Sequence, residues 1–232
     1  MIKIRRQFIA ITISLLFFSI AINAQEVNQL DANGKRTGVW RKYHDNGKLR
    51  YTGQFENGKE IGTFKFYTKY SSVPSIIKEY TVNSDTALVK FYTNKGRLKS
   101  LGNMIGKNRV GLWSYYFTNG KIFSEEYYVN GKLEGVVKNF YANGKVTEET
   151  NYKNGLKNGV SKIFTESGIL IEEVQYVNGK LNGEAKYYDL KGNLKEKGMY
   201  KDGSRDGKWE FYIDGEISDK PKRTTHTIKK QQ

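Results

Sequence analysis

A glycine recurs every 24 residues through most of this chain, each time ahead of a stretch rich in aromatic residues. Five of the six intervals are 24 residues, and the remaining interval of 49 residues contains a degenerate copy around LVKFYTNKGRLKSLGNM. A fixed period of this length is typical of a repeat architecture. We therefore predict eight copies over residues 33–217, with a degenerate region at about residues 68–105. The glycines that set the register are Gly38, Gly62, Gly111, Gly135, Gly159, Gly183 and Gly207.

Other positions recur in the same register, which indicates a packing role for each of them. All three tryptophans, Trp40, Trp113 and Trp209, stand two residues after the first glycine. Relative to a second glycine such as Gly47, apolar residues follow at two positions, represented in the first copy by Leu49 and Phe55. An aromatic residue stands five residues after each first glycine, and we expect these rings to be buried between copies: Tyr43, Tyr67, Tyr116, Phe140, Phe164, Tyr188 and Tyr212.

Composition favours strands and turns over helices. The chain has 24 glycines, 2 prolines, 17 tyrosines and 12 phenylalanines, and Asn-Gly or Asp-Gly pairs separate its short runs of strand-forming residues. Such runs joined by such pairs predict β-hairpins. The predicted fold is all-β: an elongated, open antiparallel sheet of about eight stacked 24-residue hairpins, with almost no helix after residue 24. Stacking is required because an isolated hairpin is barely stable.

The loop inside each hairpin determines which side chains face each other. A two-residue loop would place Lys186 opposite Lys197, whereas a three-residue loop with a left-handed glycine opposes lysines to glutamates. We therefore predict three-residue loops and the pairs Lys138–Glu148, Lys162–Glu172 and Lys186–Glu196, together with aromatic–aliphatic pairs such as Phe140–Val146. This arrangement puts Trp40 and Tyr43 on opposite faces of an ideal strand. Either both faces are partly covered or a bulge intervenes.

The segment GVWRKYHDNGKLRYTGQFENGK, residues 38–59, resembles the MORN (membrane occupation and recognition nexus) repeat. Units of that family run close to G-x-W-x-x-Y-x-x-G-x-x-x-Y-x-G-x-F-x-x-G. Over residues 33–217 the chain resembles the bacterial MORN-variant group, often labelled YwqK-type toxin–antitoxin antitoxins. It departs from the pattern where Val137, Ser161 and Ala185 replace tryptophan. The resemblance implies an extended, curved antiparallel sheet that acts as a scaffold or binding surface, with lipid binding and antitoxin activity as family labels.

The first 24 residues have the features of a secretory signal peptide. A basic start with Lys3, Arg5 and Arg6 precedes an apolar run over residues 8–22 and a small residue, Ala24. We expect cleavage after Ala24, because the apolar run is shorter than the roughly 20 residues of a membrane span. Export to the periplasm or beyond the cell would follow, with no transmembrane span in the mature chain. A short lead over residues 25–32 and a basic, disordered tail over residues 218–232 would flank the repeats.

No catalytic, cofactor or metal site is predicted. Glutamate pairs such as Glu148–Glu149 suggest a two-carboxylate hydrolase, but adjacent strand residues point to opposite faces, so such a pair does not converge on a substrate. The chain has no cysteine, and its two histidines, His44 and His226, lie in the first copy and the tail without motif partners. The glycines belong to turns and not to a phosphate-binding loop. We therefore expect a protein that is not an enzyme.

Two kinds of partner remain. A protein partner would bind the sheet through aromatic residues that alternate with charges along one face, such as Tyr115, Tyr127 and Tyr187 beside Lys138 and Lys162. An anionic lipid or acidic glycan would instead be attracted by the formal charge, +15 overall and +12 without the three cations of the leader. Its predicted contacts lie in the tail: Lys220, Lys222, Arg223, Lys229 and Lys230.

Two further expectations concern partners. Nucleic acid is not expected for an exported chain whose lysines are interleaved with glutamates. Neutralising a cytoplasmic toxin is hard to reconcile with export, but an immunity role against an exported toxin is compatible with it. We favour the protein-binding scaffold over the anionic-surface binder.

Overall fold

A computed structural model describes residues 26–82 and 84–218, and these residues form 18 strands and no helix. The predicted signal peptide and the five tail cations lie outside the described residues. The first half of the chain contains β1 (Gln29–Leu30), β2 (Arg36–Tyr43), β3 (Leu49–Glu56), β4 (Lys59–Tyr67), β5 (Pro74–Tyr80), β6 (Thr86–Tyr92), β7 (Leu98–Ile105), β8 (Asn108–Tyr116) and β9 (Ile122–Val129). The second half contains β10 (Lys132–Leu133), β11 (Gly135–Phe140), β12 (Val146–Lys153), β13 (Leu156–Phe164), β14 (Leu170–Val177), β15 (Lys180–Tyr188), β16 (Leu194–Lys201), β17 (Ser204–Ile213) and β18 (Glu216–Ser218).

Each strand pairs antiparallel with its neighbour along the chain, so the strands form one open meander. The ladder begins with β1 on β2 and ends with β17 on β18. In the middle, β9 pairs with both β10 and β11, which Glu134 separates. The predicted fold class is therefore confirmed. Two details extend the prediction: β1 lies inside the predicted lead, and β18 ends one residue beyond the predicted array.

The pair Asn-Gly makes two different turns, according to its place in the repeat. At Asn154–Gly155 both residues have positive φ, 52° and 85°, and Lys153 pairs directly with Leu156. This is the two-residue type I′ loop that Asn-Gly favours. At Asn143–Gly144 only the glycine has positive φ, 89°, and the loop spans three residues. The predicted three-residue loop is confirmed in six of the eight hairpins, whereas the β4–β5 loop is longer and the β17–β18 loop has two residues, Asp214–Gly215. A two-residue Asn-Gly or Asp-Gly turn with positive φ at both residues makes five of the seven connections between hairpins.

The predicted lysine–glutamate pairs were wrong by one residue. Next to the three-residue loop, Phe140 pairs with Val146 as predicted, but the register then shifts and Asn139 pairs with Glu148. The extra residue, Thr147, forms a β-bulge on the second strand. Lys138 consequently lies opposite Glu149. Equivalent bulges place Lys162 opposite Glu173 and Lys186 opposite Lys197.

The degenerate region continues the same sheet. Strands β5, β6 and β7 pair in order, and only the connections differ, because residues 68–73 form a longer loop between Tyr67 and Pro74. The register of the repeat also persists in the packing. Phe64 and Val89 stand where other copies have tryptophan, and both are buried. The irregular sequence at residues 68–90 therefore changes a loop and two packing residues but leaves the strand order intact.

One row of side chains crosses the sheet in the tryptophan register and forms most of its core. The row takes one residue from each long strand, and we call it the core row: Trp40, Gly53, Phe64, Lys78, Val89, Gly102, Trp113, Glu126, Val137, Thr150, Ser161, Val174, Ala185, Gly198 and Trp209. The largest fully buried side chains are all members: Trp113, Phe64, Val89, Val174 and Thr150. Phe55 packs beside the row, edge-on to both Trp40 and Phe64.

Volumes along the core row are complementary between each residue and the one 11 positions later on the next strand. Where the earlier residue is glycine, the later one is a large ring: Gly53–Phe64, Gly102–Trp113 and Gly198–Trp209. A Cβ added at any of these glycines would overlap the neighbouring ring. Where the earlier residue is larger, the later one is aliphatic or small: Lys78–Val89, Glu126–Val137, Thr150–Ser161 and Val174–Ala185. The replacement of tryptophan in the middle copies is therefore compensated across the strand pair.

The aromatic residues five positions after the first glycine are not the buried core that we expected. Phe140 and Phe164 are half-buried, and Tyr43 is 53% exposed. They lie beside the three-residue loops, each opposite an aliphatic residue such as Leu49 or Val146. The reason is the alternation of strand residues: a residue three positions beyond the tryptophan register points to the other face of the sheet. That face has no second layer among the described residues.

Candidate protein-binding surface

The sheet has two chemically different faces, which the alternation of side chains along β12 defines. Thr150 of the core row and Glu148 lie on the same side, because the Thr150 hydroxyl donates a hydrogen bond of 2.7 Å to the Glu148 carboxylate. We call this side the aromatic face. Glu149, between them, lies on the opposite side and pairs with Lys138 and Lys162. We call that side the charged face.

Opposite charges alternate across the charged face of the C-terminal half. One row runs strand by strand through Glu125, Lys138, Glu149, Lys162, Glu173, Lys186, Lys197 and Glu210. Ion pairs form at Lys138–Glu149, 3.1 Å, and Lys162–Glu173, 3.3 Å. Exposed pairs of this kind contribute only about 0–1 kcal/mol each. Their main consequence is that these lysines are neutralised within the row.

The like-charged pair Lys186–Lys197 interrupts that alternation, but each of the two lysines has a glutamate partner. Lys186 turns along its own strand to Glu184, at 2.8 Å, and Lys197 turns to Glu210, at 3.1 Å. These partners raise the pKa of both lysines, in each case chiefly through the hydrogen bond to the glutamate. The repulsion between Lys186 and Lys197, which was the reason to reject this pairing from the sequence, is therefore relieved by Glu184 and Glu210.

The aromatic face joins half-buried rings to cations. Around Trp113, the Arg109 guanidinium lies 4.7 Å from the indole centroid and donates a 2.9 Å hydrogen bond to the Tyr128 hydroxyl. Tyr128 in turn donates to Glu126 at 2.6 Å. Around Trp209, Arg205 lies 3.9 Å from the ring centroid. Both clusters are ring and cation stacks of the kind that stabilise a surface by about 0.5–2 kcal/mol.

A second row on the aromatic face changes character halfway along the molecule. It starts with uncharged residues, which are Tyr51, Phe66, Ile76, Phe91, Ser100, Tyr115 and Ser124. From β12 onward it alternates carboxylates with other side chains, Glu148–Ile163–Glu172–Tyr187–Glu196–Phe211. We call Glu148, Glu172 and Glu196 the carboxylate row. A chain with net charge +15 therefore carries an acidic strip on its aromatic face.

The three carboxylates have different surroundings. Glu148 accepts hydrogen bonds from Asn139 and Thr150 and pairs with Lys157 at 3.5 Å. Burial opposes ionisation of Glu148, but the hydrogen bonds and Lys157 prevail and its pKa is lowered. Glu196 pairs with Arg205. Glu172 makes no hydrogen bond or ion pair with a described residue, and burial, with the charge of Glu148 adding to it, raises its pKa despite Lys157.

Tyrosines border the carboxylate row and remain protonated. Tyr187, between Glu172 and Glu196, stacks on Trp209 with ring centroids 6.3 Å apart, and its hydroxyl lies 3.3 Å from that of Tyr200. Burial, then the Tyr200 hydrogen bond and the nearby carboxylates, raise the pKa of Tyr187. Ionised glutamate beside neutral phenol and aliphatic side chains is an environment suited to a cationic or hydrogen-bonding side chain of a partner.

The aromatic residues that we predicted on one binding face are divided between the two. Tyr115 and Tyr187 lie on the aromatic face, where each is half-buried. Tyr127 lies on the charged face with Lys138 and Lys162, and it is 48% exposed. The prediction of a single face was wrong. Tyr115 and Tyr187 stand directly before the half-buried aromatic residue of their own copies, whereas Tyr127 lies on β9 after the bulge of that strand.

The repeat glycines have the backbone conformations that their positions require. Gly38, Gly111, Gly135, Gly159, Gly183 and Gly207 have φ between 66° and 115°, and Gly47 has φ 76°. The first glycine lies inside a strand, where it pairs with the following strand but is bulged against the preceding one, as Gly159 shows between Thr150–Ser161 and Tyr152–Lys157. Glycine tolerates this left-handed conformation, whereas a side chain would strain it.

Two grooves lie at the margins of the sheet. One, of about 760 Å³, is lined by residues that include Lys35, Lys59, Glu60, Tyr80 and Asp85. The other, of about 480 Å³, is lined by residues that include Tyr187, Asp189, Lys195 and Tyr212. Among the described residues no group of three or more His, Cys, Asp or Glu side chains is arranged to hold a metal ion.

Lysines concentrate along the two margins where the turns lie. On the margin with the type I′ turns the exposed lysines are Lys59, Lys107, Lys132, Lys153, Lys180 and Lys201. On the margin with the three-residue loops they are Lys48, Lys95, Lys121, Lys145 and Lys191. The basic surplus is therefore distributed along both long edges of the sheet and is not confined to its ends and the tail.

Comparison with known proteins agrees with this geometry. Five stretches match the sequence profile of the MORN repeat variant. They are residues 36–57, 109–130, 133–154, 157–178 and 181–202. A comparison with curated proteins finds no match. The gap between the first two matches coincides with the longer loop and substituted core of β4 to β7, where the strand order and the core row continue.

Each match spans one three-residue loop and ends on the first residue of a type I′ turn. The matched unit is thus one hairpin, up to the turn that connects it to the next hairpin. The described residues contain no helix of the length and apolar character needed to cross a membrane.

Two features of this surface escaped prediction from the sequence. The 11-residue coupling between Gly102 and Trp113, and between the equivalent pairs, is visible in the sequence but becomes meaningful only once the strand pairing is known. The division of each glutamate pair, with Glu148 on the aromatic face and Glu149 on the charged face, follows from strand alternation. Which member pairs with lysine depends on the bulge at Thr147, for which the sequence carries no distinctive residue.

Proposed function

We propose that this chain is an exported, non-enzymatic MORN-type scaffold that binds a protein partner through its extended sheet surface. The proposal rests chiefly on the aromatic face, where half-buried tyrosines flank Glu172, a carboxylate without a partner among the described residues. A carboxylate whose pKa is raised by burial, next to rings that remain partly exposed, is suited to recognition more than to stability. Export rests on the basic and apolar leader of residues 1–24.

The absence of enzymatic activity is likewise a proposal. It is supported by the division of the glutamate pairs between the two faces. Assignment to the YwqK-type antitoxin group, or to an immunity role against an exported toxin, rests on sequence resemblance alone.

Matched single substitutions test the surface. Purified protein would be immobilised and exposed to an envelope extract of the native cell, in the wild-type form and with Glu172→Gln or Glu173→Gln. The two substitutions remove the same charge at adjacent positions on opposite faces. Recovery of a stoichiometric protein by the wild type and by Glu173→Gln, but not by Glu172→Gln, supports the proposal. Recovery of lipid or glycan without protein contradicts it.

The second candidate function is binding to an anionic surface such as lipid headgroups or acidic glycan. The lysines along both turn margins favour it, because they are exposed and distributed along the length of the sheet. Vesicles with and without anionic lipid, at low and high salt, provide the test. Binding that requires anionic lipid and disappears at 0.5 M salt, where the Debye length is about 4 Å, would support this second function.

A further inference from the structure

The two ends of the sheet are not equivalent, and the C-terminal end leaves a strand edge open. β17 runs from Ser204 to Ile213, but β18 pairs only with Phe211, Tyr212 and Ile213. Within residues 26–82 and 84–218 no strand pairs with the outer side of Ser204–Glu210. Backbone N–H and C=O groups along such an edge are a template for another strand.

The N-terminal edge of the sheet, by contrast, has backbone partners. β1 pairs with Arg36 and Thr37 of β2. Beyond β1, the Asn28 N–H donates to the Val39 carbonyl at 2.9 Å, and the Asn28 side-chain oxygen accepts from the Arg41 N–H at 2.9 Å. The outer edge of β2 therefore has partners along most of its length, whereas the equivalent stretch of β17 does not.

The turn after β17 determines which of its backbone groups point outward. Ile213 and Glu216 flank a two-residue loop, Asp214–Gly215, and residues that flank such a loop exchange hydrogen bonds. Because outward and inward groups alternate along a strand, Trp209, Gly207 and Arg205 direct their N–H and C=O groups to the open side. The edge thus offers a continuous set of hydrogen-bonding residues at every second position.

The chain's own continuation is poorly matched to this edge. Extending β18 in its observed register, in which Ser218 faces Phe211, would place Asp219 opposite Glu210. Like charges directly opposite each other destabilise an antiparallel pair. In the interior of the sheet the same register carries opposite charges at Lys138–Glu149 and Lys162–Glu173, and the like-charged pair Lys186–Lys197 is relieved by Glu184 and Glu210. The mismatch favours a strand supplied from outside the chain.

The interior repeats indicate what that strand should contain. Opposite the first glycine of a copy the next strand presents an aromatic residue, as in Gly38–Phe55, Gly111–Tyr128 and Gly183–Tyr200. Opposite the tryptophan register it presents glycine in two of these strand pairs, Trp40–Gly53 and Ala185–Gly198. Charge alternation calls for a cation opposite Glu210.

We propose that the outer edge of β17 binds, antiparallel, an extended strand of a partner protein with a cationic residue opposite Glu210, a glycine or other small residue opposite Trp209 and an aromatic residue opposite Gly207. This inference rests on the proposed scaffold function and names the site and chemistry of its partner. Main-chain hydrogen bonds would supply the affinity and the three side-chain positions the specificity.

The probe for this edge is a synthetic peptide with the sequence LKEKGMYK, which is that of β16, Leu194–Lys201. It carries a lysine, a glycine and a tyrosine at the spacing that the edge requires, equivalent to Lys197, Gly198 and Tyr200. The full-length protein would be examined by amide hydrogen exchange with and without the peptide. The expected result is that the N–H groups of Arg205, Gly207 and Trp209, which face the open side, exchange fast without peptide and become protected with it, while the outer edge of β2 does not change.

Backbone methylation of the peptide provides the matched control. N-methyl groups at the positions equivalent to Gly198 and Tyr200 remove N–H groups that face β17 and are expected to abolish the protection. N-methyl groups at the positions equivalent to Lys197 and Met199 face away and are expected to leave it intact. A charge exchange tests the side chains: Glu210→Lys is expected to weaken binding about fivefold, and glutamate in place of the peptide's facing lysine to restore it.

Three results would overturn the proposal. Slow exchange of the Arg205, Gly207 and Trp209 N–H groups before any peptide is added would mean that the chain itself or a second copy already covers the edge, and sedimentation would separate these two cases. Peptide binding that is indifferent to the position of the N-methyl groups would place it elsewhere. No binding by the probe at millimolar concentration would also contradict it. The scaffold function fails separately, if the envelope extract yields no protein partner for either face.

Discussion

The N-terminal and central repeats solve the same packing problem with opposite choices of side chain. At Trp113 the fully buried indole lies against Gly102, whose missing side chain provides the space. At Ser161 the small side chain lies against Thr150, and their hydroxyls are 2.6 Å apart. Thr150 and Ser161 are only 1% and 3% exposed, so the small pair is as well buried as the large one. What the two pairs share is that both members are buried at the same register of the strand pair.

The same comparison explains why a tryptophan pattern is typical of this fold although the fold does not require tryptophan. Trp40, Trp113 and Trp209 belong to copies one, four and eight, which are interspersed with copies that have Phe64, Val89, Val137, Ser161 or Ala185 in their place. All eight form antiparallel hairpins of one sheet, although their loops differ. The central copies exchange ring packing for a buried hydrogen bond and for aliphatic contacts, so their side chains define a narrower and more polar core.

The largest expected effect comes from removing the fully buried ring of Trp113. Trp113→Ala should destabilise the protein by about 3–5 kcal/mol, because it empties a fully buried site beside a glycine that cannot fill it. Denaturant unfolding measures the change. Phe140→Ala is the matched control on the opposite face, and it should cost clearly less because that ring is only half-buried. Equal losses would show that the core is not confined to the tryptophan register.

Exchanging the side-chain volumes of a facing pair tests the comparison directly. Ser161→Trp alone should destabilise by about 1–3 kcal/mol, because Thr150 occupies the space that an indole needs. Thr150→Gly in the same chain should recover part of that loss and so reproduce the Gly102–Trp113 arrangement. A double-mutant cycle should give a favourable coupling of at least about 1 kcal/mol. Additive effects of the two substitutions would contradict a shared volume at this pair.

These residues also show how much of the fold could be predicted from the sequence. The 24-residue period predicted the strands and the order of the hairpins, because turn residues such as Gly144 and Asn154 act locally through their own backbone angles. The pairing of Lys138 could not be predicted in the same way. It depends on a bulge at Thr147, where threonine is a normal strand residue and the extra position is decided by the sheet as a whole.

The binding surface was less predictable than the fold for a related reason. Tyrosine and glutamate recur in every central copy, but Tyr127 and Tyr187 face opposite sides, and Glu148 differs from Glu172 only in its neighbours. Lys157 and Asn139 satisfy Glu148, whereas the residues next to Glu172 are Ile163 and Tyr187. Such differences arise between strands, at distances along the chain that a repeat pattern does not record.

The two carboxylates Glu148 and Glu172 should respond to pH with opposite signs. The lowered pKa of Glu148 means that its ionised form stabilises the fold above the unfolded pKa, near 4.3, and that this contribution is lost as the pH falls through the folded value. The raised pKa of Glu172 means that ionisation opposes folding, so stability increases as the pH falls through its folded value. Each effect should be below about 1 kcal/mol.

Matched variants separate the two carboxylates. At pH 7, Glu148→Gln should lower the unfolding free energy and Glu172→Gln should leave it unchanged or raise it. The difference for Glu172→Gln should vanish below the unfolded pKa, near 4.3, and the difference for Glu148→Gln should vanish only at a lower pH, below the folded pKa of Glu148. Thermal melts between pH 3 and pH 8 provide the measurement. A loss of stability at pH 7 in Glu172→Gln would mean that this carboxylate has a structural partner and would weaken its assignment to binding.

The smallest expected effect concerns the charged face of the central repeats. Lys138 lies between Glu125 and Glu149, and Lys162 lies between Glu149 and Glu173, so each lysine has an acidic neighbour on both sides. Lys162→Met keeps the aliphatic stem, removes the charge and should cost no more than about 1 kcal/mol, because the side chains are 30–39% exposed in the Lys162–Glu173 pair. The loss should shrink at 1 M salt, where the Debye length is about 3 Å. Because Glu149 and Glu173 would then face each other across a neutral residue, Glu173→Gln in the same chain should recover part of the loss. A cost of several kcal/mol that is insensitive to salt would show instead that the stem of Lys162 covers apolar surface on the charged face, and the two faces would then share the core.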